Sequence, residues 1–147
     1  MDLKTRINEA VKDAMRARER ERLAALRLVT AEIKRVEVDE RIEVDDARVL
    51  AILDKMIKQR LDSERQYRDA NRPELADVEA FEISLIREFM PEPLDAAAIA
   101  EMIEAAIAET GAEDMRAMGK VMGVLKPKIQ GRADMAAVSA QVKQRLS

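Results

Sequence analysis

The chain has 147 residues, with 26 bases against 29 acids and 48% hydrophobic residues, a composition that suits a folded rather than a disordered chain. It contains no cysteine and no histidine, which excludes disulfides, thiol nucleophiles, Ser-His-Asp catalysis, zinc fingers and histidine-ligated haem. The three aromatic residues, Tyr67, Phe81 and Phe89, argue against a reader that stacks successive bases on rings.

No apolar run approaches the roughly 20 residues that span a bilayer, and the N-terminus is charged from Asp2 onward, so no secretory signal is visible and a cytoplasmic location is expected. Glycine and proline are absent up to Arg72, which predicts long helices and few tight turns there. Leu3, Ile7, Val11 and Met15 repeat at helical spacing, and Leu23, Leu26, Val29, Ile33 and Val36 form a second such stripe. The pattern leaves open whether a kink separates the two near Arg18–Glu21. Val36–Val38 and Ile42–Val44 alternate as strands do, but Asp39-Glu40-Arg41 lacks hairpin residues, so a helix end and a loop are expected. Asp45 or Asp46 can cap a third helix bearing Val49, Leu50, Leu53, Ile57 and Leu61. Pro73 suits the first turn of a fourth, with Leu75, Val78, Phe81, Leu85, Ile86 and Phe89 as its apolar positions.

Met90-Pro91-Glu92-Pro93-Leu94 marks the clearest boundary, since two prolines stop a helix and stiffen the link. Asp95 caps a fifth helix that Gly111 ends, Asp114 a sixth, and Asp134 a seventh with Met135, Val138, Val142 and Leu146 on its core face. The expected architecture is all-α, with a helical domain over residues 1–92 and a small three-helix tail over 93–147. Charge follows the same division. The last 32 residues carry seven bases and one acid, on a chain whose net charge is −3.

The sixth segment, from Asp114 to Asp134, holds the chemistry. On a helical wheel Met115, Met118, Met122, Leu125 and Ile129 make a core face. Arg116, Gly119, Lys120 and Gly123 share the neighbouring arc, a strip without side chains beside two cations. Each interior glycine costs about 0.5–1 kcal/mol relative to alanine, so something should offset two of them. One reading is close approach of an anionic backbone, with Arg116 and Lys120 neutralising phosphates. The other is helix packing through small residues. Lys126, Lys128 and Arg132 extend the positive field into the Pro127–Asp134 turn, and Gly131 is expected to stop the helix, leaving Arg132 free for a partner.

Other clusters read as structure. The Arg16, Arg18, Arg20, Arg22 and Arg27 group is interspersed with Glu19 and Glu21, as on a solvated helix face. The methionines between Met102 and Met135 fall at core spacing. The acidic stretch 37–46 lacks calcium-loop spacing, so no metal and no cofactor are expected. No carboxylate or lysine stands isolated on an apolar face, and no serine has a nucleophile-elbow context, so no catalytic residue is assigned.

Met118-Gly-Lys-Val-Met122, Leu125, Pro127-Lys128 and Gly131-Arg-Ala-Asp134 together resemble the YqeY-like family. Leu26–Val29, Lys58-Gln-Arg60 and Phe89-Met-Pro-Glu-Pro-Leu94 extend the resemblance along nearly the whole chain. Pro93 departs from the family pattern, where a polar residue is usual, as does Gly123, where a larger one is common. The family comprises small bacterial proteins similar to the C-terminal helical and tail parts of the B subunit of aspartyl/glutamyl-tRNA amidotransferase, GatB. The resemblance implies the GatB/YqeY-type helical domain and tail, with the tail meeting the elbow of tRNA. It also carries a label of carbon–nitrogen ligase using glutamine as amide donor, although the amidase and kinase-like catalytic parts lie outside the represented region. The expectation is a stand-alone tRNA-binding or tRNA-metabolism accessory module. Its nucleic-acid-binding residues would be Arg116, Gly119, Lys120, Gly123, Lys126, Lys128, Gly131 and Arg132. The alternatives are an adaptor for an amidotransferase or aminoacyl-tRNA synthetase, or the ligase activity itself.

Overall fold

The computed structural model describes residues 2–147 and is all-α, with seven α-helices, one 3-10 turn and no strand among the described residues. It divides into two compact units, one ending at Met90 and one beginning at Pro91.

The first unit holds α1 (Leu3–Arg16), α2 (Arg20–Glu40), α3 (Asp46–Asp69) and α4 (Pro73–Arg87). Asp2 and Asp45 accept the N–H groups of Thr5 and Arg48, which caps α1 and α3. Asp46 reaches across to the Leu3 N–H at 2.9 Å, tying the start of α1 to the start of α3. Leu3, Ile7, Leu26, Val29, Ile33, Val49, Leu53, Ile57, Leu85, Ile86 and Phe89 bury together. Arg6 lies 5.8 Å from the centre of the Phe89 ring.

The question left open near Arg18–Glu21 resolves as a break between α1 and α2. Two expectations for this unit need correction. Val78 and Phe81 are 54% and 40% exposed, because Ala76 and Ile83 set the buried line of α4. The glycine-free stretch also turns more sharply than its composition predicts. Arg18, Arg41 and Asn71 take left-handed φ values of 57°, 54° and 58° just past the ends of α1, α2 and α3. At each the next N–H bonds five residues back: Glu19 to Ala14, Ile42 to Glu37, Arg72 to Tyr67. That is the termination glycine normally serves.

The second unit holds α5 (Ala96–Thr110), the 3-10 turn Met115–Ala117, α6 (Met118–Ile129) and α7 (Met135–Leu146). Ile103, Ala106, Val121, Leu125, Ile129, Val138 and Val142 form its core. Asp95 caps α5 through the Ala98 N–H, and Gly111, at φ 65°, ends it in the left-handed conformation. Val121 is fully buried while Met115 is 38% exposed. The apolar face of α6 is therefore displaced from the expected arc, because the helix starts at Met118 rather than at Asp114.

Candidate nucleic-acid interface

Asp114 accepts the Arg116 N–H at 2.9 Å and caps a short 3-10 turn, not a long helix. Arg116 consequently leaves the strip expected for it. Its side chain is 93% exposed, with Nη2 3.5 Å from the Asp114 carboxylate.

Pro127, expected in a turn, lies inside α6. The helix runs two residues further and brings Lys126 onto the face of interest. At about 100° per residue, Lys126 lies seven positions from Gly119 and on nearly the same line, and Lys120 flanks Gly123 on the other side. The result is a glycine strip between two lysines. Gly119, Lys120, Gly123 and Lys126 are all solvent-exposed. A Cβ built on Gly119 or Gly123 would meet no described atom of the second unit within 4 Å beyond its own stretch of helix. Packing against another helix of this unit therefore does not account for either glycine. Lys128, seven residues from buried Val121, stands on the other flank of α6. Among the described residues, none of Lys120, Lys126 and Lys128 has a carboxylate within ion-pair distance. Proline has no N–H, so Pro127 leaves the Gly123 carbonyl without its usual helical donor.

Beyond Ile129 the chain makes a type II turn. Gln130 has φ −52° and ψ 128°, Gly131 has φ 79°, and the Arg132 N–H bonds the Ile129 carbonyl at 2.8 Å. The third position of such a turn requires the positive φ of Gly131. Arg132, expected to be free, is half-buried and engaged. Its Nε donates to the Glu92 carbonyl at 3.2 Å, and its own carbonyl accepts from the Leu94 N–H at 2.8 Å. It clamps the segment before α5 to the loop after α6. The eight expected residues thus divide into Gly119, Lys120, Gly123 and Lys126 on one exposed strip, Lys128 on the far flank, Arg116 before the helix, and Gly131 and Arg132 in a structural turn.

The N-terminal arginines behave as a solvated face. Arg16 pairs with Asp13 at 3.3 Å, and Arg22 pairs with Glu88 at 2.9 Å. No group of three metal-ligating side chains occurs among the described residues. No helix there is long and apolar enough to cross a membrane.

A family model described as Yqey-like protein matches residues 4–146. The chain is similar to "Uncharacterized protein C22F3.15" of Schizosaccharomyces pombe, with 31% identity over 91 residues that cover 62% of this chain and 74% of that protein. It is also similar to "Altered inheritance of mitochondria protein 41, mitochondrial" of Pyrenophora tritici-repentis, with 27% identity over 142 residues, 95% of this chain and 78% of that one. Both relatives are fungal, so they lend no support to the expectation of a bacterial protein.

Proposed function

The chain belongs to the YqeY-like family, and on that premise we propose that it is a stand-alone tRNA-binding accessory module, with the α6 strip as its contact surface. The proposal treats residues 1–92 as the helical domain and 93–147 as a three-helix tail of the amidotransferase B-subunit type, acting in the cytoplasm. The observation that carries it is the open space over Gly119 and Gly123, flanked by the unpaired Lys120 and Lys126. Two glycines in one helix destabilise it, and nothing described in the second unit uses the room they leave. A phosphate backbone laid along the strip would use it, with the two lysines on either side neutralising its charge.

The strip suits recognition of shape rather than of splayed bases, since no aromatic side chain belongs to α6. The proposal assigns binding without catalysis. Ultraviolet crosslinking of the full chain, followed by sequencing of the retained RNA, tests the reading. Reads concentrated on tRNA, with crosslinks at the elbow, are expected. Reads spread across all RNA in proportion to abundance would overturn it.

A further inference from the structure

A second cationic site lies in the first unit, away from α6 in sequence. Lys4 and Asn8, one turn apart on α1, face Arg27, Thr30, Lys34 and Glu37 on α2 across a groove of about 510 Å³. The only carboxylate in its lining is already occupied. Glu37 accepts from Lys4 Nζ at 2.8 Å and from the Val44 N–H at 3.1 Å. These two donors, Lys4 first, hold its carboxyl below the ordinary range. Arg27 and Lys34 differ from most arginines of this unit. Arg16, Arg22, Arg35, Arg48, Arg60 and Arg68 each have a carboxylate partner. Arg27 and Lys34 are exposed and, among the described residues, have none within ion-pair distance.

The two stand seven residues apart, two turns along one line of α2, or about 10.5 Å at 1.5 Å per residue. A nucleic-acid strand advances about 3.4 Å per phosphate, so that length suits successive anions better than a single one. Arg27 brings a planar fork for phosphate oxygens, Lys34 a point charge, and Asn8 a neutral amide donor from the facing helix. We propose that the α1–α2 groove binds a run of linked phosphates, with Arg27 and Lys34 as its charged ends and Asn8 as an orienting donor. Such phosphates could belong to an RNA backbone or to a small polyphosphorylated molecule, and the chemistry of recognition is the same for both. Only the RNA arm of the test rests on the function proposed above.

The experiment compares the full-length protein with Arg27→Gln/Lys34→Gln, two exposed changes whose effect on folding is checked by the thermal midpoint. Inorganic tripolyphosphate is titrated while the amide resonances of Asn8, Thr30 and Ala31 are followed by NMR. Shifts confined to the groove that disappear in the double variant are expected. Shifts absent in the wild type, or retained in the variant, overturn the site. A tRNA transcript is then titrated at several salt concentrations. A slope of log K against log salt that is shallower by about 1.8 in the variant, at about 0.9 per phosphate lost, assigns the groove to RNA. An unchanged slope with tripolyphosphate binding intact assigns it to a small polyphosphate. Failure of the α6 reading would look different: Lys120→Glu would leave RNA affinity unchanged while the groove still binds tripolyphosphate.

Discussion

Replacing Gly119 and Gly123 together by alanine should make the protein more stable and a poorer binder. An alanine in place of glycine inside a helix stabilises by about 0.5–1 kcal/mol, because the unfolded chain loses less freedom on folding. Gly123 lies in the middle of α6 and should approach the upper figure, whereas Gly119 is its second residue and should stay near the lower. No clash subtracts from either gain, since the added methyls meet nothing within 4 Å. The pair should therefore contribute about 1.5 kcal/mol. In a domain of this size each kcal/mol moves the melting temperature by roughly 4–8 °C, so calorimetry should show the second unit melting several degrees higher. The same methyls stand where a phosphate backbone would lie, and RNA affinity should fall at least about tenfold, or 1.4 kcal/mol. Higher stability with unchanged affinity would refute the strip as a contact surface. Lower stability would refute the open geometry itself.

Arg41 is exposed at φ 54°, a region that costs a non-glycine residue about 1–2 kcal/mol. Arg41→Gly should stabilise the first unit by about 1 kcal/mol after the entropy of glycine is subtracted, and a urea midpoint that fails to rise would contradict the strain. Burial, and then the neighbouring Glu82, push the Glu79 carboxyl up, against the pull of Arg60. The folded state thus holds this proton more tightly than the unfolded one, and Glu79 detracts from stability increasingly as pH rises through its raised value. Glu79→Gln should stabilise at neutral pH, with a gain that fades as pH falls below the ordinary carboxyl range; a gain that does not change with pH would refute it. Leu125 is fully buried, at 0% accessibility, so Leu125→Ala should cost about 2–5 kcal/mol and melt the small second unit first.

The helices were legible because apolar spacing, aspartate caps and Pro73 all point the same way, and Asp2, Asp45, Asp95 and Asp134 do cap helices. The left-handed ends at Arg18 and Arg41 were not. Composition identifies such ends by glycine, and here backbone bonds reaching five residues back hold arginines in that conformation instead. On α6 Gly119, Lys120, Gly123 and Lys126 were all legible as candidates, but not that Lys126 lies on the helix with the other three, because Pro127 reads as a helix stop, whereas a proline near the C-terminal end forfeits only one bond and the helix continues to Ile129. Arg132 was legible as a cation, but its engagement was not. Its partner is the backbone of Glu92, forty residues away, and nothing in local spacing signals a contact to a carbonyl.

The affinity of the full-length protein for a tRNA transcript between 50 and 200 mM salt, measured beside Lys120→Glu, tests the central claim most directly. Contact with about four phosphates predicts roughly a hundredfold loss across that range. Lys120→Glu should bind more weakly throughout, with a slope shallower by about 0.9. Affinity insensitive to salt, or unchanged in Lys120→Glu, would contradict the account.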